Sequence, residues 1–260
     1  MSHVFVFETP DEVAQGACRW LSDDIQHCLN RENRPYILSL SGGSTPKRLY
    51  QLLAKLPAGD IDWSRVFLVL GDERNVPIDS RDSNYRMVKE SLLDMVDIPS
   101  SNVLGFDAPE GDATNCAAGY QLKLQQLFPG STLPSFSCVL LGLGDDAHTA
   151  SLFPYTEALD ATESWYVANE VPKLGAWRMT LTAPAINAAR RILFLVCGPS
   201  KQSALHHVWH SAYDYRLNPS QLITARNEVT WMLDRQALGS TEIPKEFQLG
   251  RSIATGQFDL

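Results

Sequence analysis

Asp145, Asp146 and His148 fall within four residues of one another in the stretch Cys138 to Pro154, CVLLGLGDDAHTASLFP. An imidazole beside carboxylates is what general acid–base chemistry asks for. Histidine changes protonation near neutral pH, and a carboxylate can orient the ring and balance its charge. Small polar side chains, Thr149 and Ser151, come directly after. Before them, the apolar run Val139 to Leu141 reads as a buried strand that opens into Gly142-Leu143-Gly144. In an α/β protein, ligands bind at the carboxyl ends of parallel strands. The stretch fits such a site, and it equally fits an acidic loop whose histidine bonds to backbone.

Three more polar clusters end apolar runs in the same way. Tyr36 to Leu40 reads as a strand running into Ser41-Gly42-Gly43-Ser44-Thr45-Pro46, with a helix behind it marked by Leu49, Leu52, Leu53 and Leu56. Free backbone N–H groups and hydroxyls at a helix N-terminus hold phosphate. Thr45 and Pro46 also suit an ordinary N-cap and first helical residue. The turn is neither a P-loop nor a dinucleotide fingerprint, lacking the Lys of the first and the third Gly of the second. Val66 to Leu70 is a further strand, ending in Gly71-Asp72-Glu73-Arg74. That cluster reads either as site residues or as a solvated turn with a Glu–Arg pair. Arg191 to Val196 runs into Cys197-Gly198-Pro199-Ser200-Lys201 and a helix to about Trp209. A lysine in the first turn opposes the helix dipole unless an anion sits there. His206, His207 and His210 have no neighbouring glutamate and no third ligand in sequence, so they read as a helix face rather than a metal site.

Between these clusters, strands and helices alternate. Val4 to Phe7 is a strand, and Thr9-Pro10-Asp11-Glu12 starts a helix with Val13, Ala17, Trp20, Leu21 and Cys28 at helical spacing. Ser83-Asn84-Tyr85 opens a helix to Leu93 with Ser83 as cap, Val103-Leu104 is a short strand, and Ala113 to Phe128 is a helix. Strands are expected at Phe136 to Leu141, Trp165 to Val171, Arg178 to Thr182 and Val229 to Leu233, with short helices at Pro184 to Ala189 and Arg235 to Leu238. The fold class that follows is α/β, a doubly wound, largely parallel sheet with helices on both faces. Such a sheet can gather the clusters into one crevice.

The chain has 260 residues, 44% of them hydrophobic, enough to bury a full core as one domain over 1–260. A net charge of −8 argues against nucleic acid as a main partner. No apolar run is long enough to span a bilayer. The opening MSHVFVFETPDE lacks the basic start and apolar run of a signal peptide. Five cysteines without a CxxC pair suggest reduced thiols. A cytoplasmic protein is expected, as a monomer or small homo-oligomer.

The combined chemistry is an anion holder with cations, beside a histidine flanked by carboxylates. It suits a small phosphorylated substrate. The phrases SGGSTPKRLY, GDERNVPIDSRDSNY, LLGLGDDAHTASLFP, RMTLTAPAINAAR and GPSKQSAL, in that order, resemble those of 6-phosphogluconolactonases. The resemblance runs from about Leu38 to Ala237 and extends to the wider group of glucosamine-6-phosphate deaminases. It implies a fold akin to ribose-5-phosphate isomerase and coenzyme A transferases. It also implies hydrolysis of 6-phospho-D-glucono-1,5-lactone to 6-phosphogluconate, with no metal or organic cofactor. Carried over by residue, His148 is the general base, Asp146 orients it, and Arg74 steadies the developing oxyanion or a substrate oxygen. Gly42, Gly43, Ser44 and Thr45, with Arg178 and Lys201, match the phosphate-holding positions, and Asp72 joins the substrate contacts.

One position departs from the pattern. The family usually carries Gly between the Asp and the His, where this chain has Ala147. A positive φ there would strain alanine and could shift the histidine. A sugar-phosphate binder without turnover is therefore an alternative. The related deaminases carry an acidic residue five positions after the histidine, where this chain has Phe153.

Overall fold

The computed structural model describes residues 2–106, 110–224 and 228–250. In chain order its strands are β1 (Ser2–Phe7), β2 (Tyr36–Leu40), β3 (Val66–Leu70), β4 (Asp72–Arg74), β5 (Cys138–Leu141), β6 (Tyr166–Val171), β7 (Ala176–Leu181), β8 (Arg191–Val196), β9 (Glu228–Asp234) and β10 (Gln248–Leu249). The α-helices are α1 (Pro10–Asn30), α2 (Ser44–Leu53), α3 (Asn84–Ser91), α4 (Ala113–Leu127), α5 (Ala183–Asn187), α6 (Gln202–His210) and α7 (Arg235–Leu238).

Seven strands form one sheet in the order β10-β1-β9-β8-β5-β2-β3, with every neighbouring pair parallel. Parallel strands covered on both faces need continuous apolar sequence. RILFLV in β8 meets that demand, with Ile192 to Val196 all buried, and CVLL in β5 is buried throughout. Helices flank the sheet, as expected for an α/β chain of this pattern. Thr9 caps α1 by accepting the Glu12 N–H at 3.2 Å, and Pro10 occupies the first helical position, which needs no donor. Among the described residues, no helix is long and apolar enough to cross a membrane.

A second sheet was not legible as such. β4 pairs antiparallel with β7, which pairs antiparallel with β6. Gly71 hands the chain from one sheet to the other. Its N–H donates to the Leu40 carbonyl and its own carbonyl accepts from Leu181, each at 2.8 Å. Asp72 to Arg74 is thus a strand and not a solvated turn. Glu73 is fully buried and accepts from the N–H groups of Arg74, Asn84 and Tyr85 and from the Ser83 hydroxyl. In place of the alternative, a Glu–Arg pair, the Glu73 carboxylate binds the N-terminus of α3. Val103-Leu104 forms only a bridge to Leu68 at the edge of β3.

Candidate active site

The phosphate-type turn follows β2. The buried Tyr50 hydroxyl accepts the Ser41 N–H at 3.0 Å and donates to the Ser41 carbonyl at 2.9 Å, which fixes the start of the turn. Gly42 passes so close to Asn84 that a Cβ there would lie 2.1 Å from Asn84 Oδ1. Gly43, at φ +107°, is the N-cap of α2 and makes no side-chain cap bond. Thr45, which also suited an N-cap, lies instead inside α2. A glycine in the left-handed region lets the helix begin earlier, and Pro46 then falls in the first turn, where a missing N–H costs nothing. Gly42, Gly43, Ser44 and Thr45 all line a cavity of about 450 Å3.

Four cations line the same cavity, and three of them, Arg74, Arg178 and Lys201, were singled out in the sequence. Arg74 and Arg178 stand directly opposite each other in the β4–β7 register. Burial, and then the charge of Arg74, hold the Arg178 guanidinium below its ordinary value. Like charges across a strand pair destabilise unless an anion lies between them. Lys201 is the residue preceding α6, after Gly198 at φ +92°. The Asp234 carboxylate accepts the Gly198 N–H at 3.0 and 3.1 Å and so holds that turn. Asp72 is oriented in turn by the Ser151 hydroxyl at 2.6 Å and the Asn84 amide at 3.3 Å.

The histidine loop leaves β5 and folds back on itself. Thr149 donates to the Gly142 carbonyl at 2.8 Å, and the Gly144 N–H donates to the His148 carbonyl at 2.8 Å. A Cβ on Gly144 would lie 2.0 Å from His148 Nδ1, so only glycine leaves room for the ring. His148 Nδ1 is 2.5 Å from Asp146 Oδ1, and Lys173 Nζ is 2.9 Å from Asp146 Oδ2. Burial alone would raise the Asp146 carboxyl, but the hydrogen bonds from His148 and Lys173 outweigh it and hold the group well below the usual carboxylate range. An ionised carboxylate only accepts, so in the neutral ring Nδ1 carries the proton and Nε2 the lone pair. The ring stacks on Phe153, with centroids 4.0 Å apart and planes at 22°.

Ala147 does adopt a positive φ, +62°. That conformation costs alanine roughly 1–2 kcal/mol. Its carbonyl accepts both the N–H and the hydroxyl of Ser220, at 3.0 and 2.7 Å. The alanine is strained yet held, and His148 keeps its bond to Asp146.

Asp146, His148 and Asp72 line the cavity with the cradle and the cations, so the ten residues singled out in sequence converge on one crevice. Lys173 and Asn84 line it as well, and neither was assigned a role in advance. Ser83 is the cap of α3, accepting the Arg86 N–H at 3.1 Å, and is buried. Among the described residues, no three His, Cys, Asp or Glu side chains gather where they could hold a metal ion.

Residues 8–231 match the family model described as glucosamine-6-phosphate isomerases/6-phosphogluconolactonase. The chain belongs to this family. Among relatives within the glucosamine-6-phosphate isomerase/6-phosphogluconolactonase family, a Synechocystis protein named 6-phosphogluconolactonase is 41% identical over 202 residues, covering 77% of this chain and 82% of its own. The rat protein of the same name is 33% identical, covering 94% of this chain and 95% of its own. The crystal structure of 6-phosphogluconolactonase from Leishmania guyanensis superposes with a TM-score of 0.83 at 29% identity, covering 94% of this chain and all of that one.

Proposed function

We propose that this protein is a 6-phosphogluconolactonase, hydrolysing 6-phospho-D-glucono-1,5-lactone to 6-phospho-D-gluconate with His148 as general base. The observation that carries the mechanism is the Asp146–His148 pair, its carboxylate bonded also by Lys173, facing a cation-lined cavity. His148 Nε2 takes a proton from water as the water oxygen bonds to the lactone carbonyl carbon. The carbonyl oxygen becomes an oxyanion, steadied by Arg74. Collapse of this intermediate breaks the bond to the ring oxygen, which receives the proton back from the imidazolium. Asp146 balances the charge on the ring between the two transfers. The product is the open-chain acid.

The remote phosphate sits at the N-terminus of α2, held by Gly42 to Thr45 with Arg178 and Lys201. Fixing that end presents the carbonyl to His148, so binding energy is spent on orientation. Asp72, held by Ser151 and Asn84, takes a substrate hydroxyl. No metal or organic cofactor enters this scheme. The same reading makes the protein one cytoplasmic domain, monomeric or a small homo-oligomer, with no nucleic-acid partner. Phe153 against the imidazole favours the lactonase over the deaminase, because it puts an aromatic face where ring opening would use an acid.

The test is lactone hydrolysis on substrate generated freshly by glucose-6-phosphate dehydrogenase. Wild type should consume lactone far faster than buffer, and His148→Ala should fall to near the buffer rate. Equal rates for wild type and buffer would leave a sugar-phosphate binder. Ammonia released from glucosamine 6-phosphate would identify a deaminase. Equal activity of both proteins would keep the lactonase and remove His148 as its base.

A further inference from the structure

We infer that Ser220 is a positioning residue for the catalytic loop, fixing the peptide unit between Ala147 and His148 and through it the alignment of the imidazole on Asp146. For its activity readout this rests on the lactonase reading above. Its structural readout does not.

The peptide unit is tied at both ends. Its oxygen accepts the Ser220 N–H at 3.0 Å and the Ser220 hydroxyl at 2.7 Å. Its N–H, on His148, donates to Asp146 Oδ1 at 3.3 Å, the same oxygen that meets ring Nδ1 at 2.5 Å. Rotating this unit therefore pulls the backbone of His148 off the carboxylate that orients its ring. The tendency to rotate is built in, because Ala147 sits at φ +62° and relieves strain by leaving that region. Two donors on one carbonyl oppose the relaxation. Ser220 is buried, so loss of its hydroxyl removes a bond with little water to replace it.

The brace reaches the loop from far along the chain. Ser220 belongs to the turn Pro219–Leu222, which follows α6, the helix headed by Lys201. Between them, the Gln221 amide donates to the carbonyls of His207 and Ser211 at 3.3 and 3.5 Å. Tyr155 N–H donates to the Arg216 carbonyl at 3.0 Å, a second attachment to the same loop. One segment thus joins the helix bearing a phosphate-side cation to the peptide bearing the base. Residues that only fill space would not need donors aimed at a single oxygen.

The test compares Ser220→Ala, Ala147→Gly and the double variant. Ser220→Ala keeps its own backbone donor, so the turn stays folded. It should lower kcat about tenfold and move KM less than about twofold, the pattern of a misaligned base. In the Ala147→Gly protein, where glycine carries no strain, the same change should cost less than about threefold. Separately, 15N signals of the His148 ring should move from a single tautomer toward a mixture in Ser220→Ala. Unchanged kcat with unchanged ring signals overturns the inference. So does an equal loss with and without Ala147→Gly, or a loss carried by KM alone. Were wild type itself inactive on lactone, the lactonase reading would fall, and the ring signals would still decide the role of Ser220.

Discussion

Arg74 and Arg178 face each other directly across the antiparallel pair of β4 and β7, two guanidinium groups on neighbouring strands beside one cavity. The small sheet thereby stores repulsion that an anionic ligand relieves. Arg178→Met should leave the ligand-free protein within about 1 kcal/mol of wild type, since a like-charge pair disappears along with the bond that the guanidinium donates to the Trp177 carbonyl at 3.0 Å. It should raise KM for the phosphorylated lactone about 10- to 100-fold, the worth of a charge-assisted contact. Thermal melts with and without 6-phosphogluconate, alongside steady-state kinetics, check both halves. A large loss of ligand-free stability would show that Arg178 serves the fold instead.

Asp146 gives a prediction in activity and another in pH. Asp146→Asn leaves the ring without an obligate acceptor at Nδ1, so the tautomer with a free Nε2 is no longer enforced. A fall in kcat of about 10²–10⁴-fold is expected, with the fold intact. The carboxyl titrates below its ordinary value when folded, so its ionised form contributes stability that is complete above the ordinary aspartate value of about 3.9. That contribution is lost as pH falls below this value toward the lower folded-state one. The gap in urea midpoint between wild type and Asp146→Asn should therefore be larger at pH 5 than at pH 3, narrowing as pH falls below about 4.

How much of this was readable from residues alone differs between elements for physical reasons. Clusters at strand ends were legible because an apolar run that stops at Gly and polar residues carries its own boundary. That is why Gly42 to Thr45, Asp72, Arg74, Asp146, His148 and Lys201 share one cavity as expected, whereas Arg178, inside β7, was marked only by the family resemblance. Lys173 was not legible. Its partner Asp146 is 27 residues away, and a lone lysine in VPKLG carries no pattern. Ser220 is 73 residues from the carbonyl it holds. The side sheet was hidden because DER, three charged residues, has no strand alternation. Its burial comes from the amides of α3 around Glu73, a contact made only in the folded chain.

Ala147 yields a prediction about stability rather than rate. With φ at +62°, glycine at this position removes a strain of roughly 1–2 kcal/mol and gives back part of it through a more flexible unfolded chain. Ala147→Gly should raise the unfolding free energy by about 1 kcal/mol, read from urea midpoints at unchanged m. A decrease would mean that the Ala147 methyl, which is buried, contributes more by packing than its backbone loses.

Glu73 shows how far the site depends on a side chain that never touches the cavity. Both its oxygens are occupied: Oε1 accepts from Arg74 at 2.8 Å and Asn84 at 2.7 Å, and Oε2 from Tyr85 at 2.8 Å and Ser83 at 3.1 Å. Burial raises its carboxyl above the ordinary value although these amides pull the other way. Glu73→Gln keeps the shape but turns one oxygen into an NH2 facing backbone donors, which leaves buried polar groups opposed and unpaired. The expected cost is about 3 kcal/mol, at the upper end for a single unsatisfied buried group. The damage should spread through α3, because Asn84 donates to both the Asp72 carbonyl and carboxylate and sits under Gly42. Urea unfolding reads the stability, and KM for the lactone reads the loosened Asp72 and cradle. A variant as stable as wild type would mean that the amides of α3 do not depend on the Glu73 carboxylate and that the Ser83 cap suffices to hold the start of the helix.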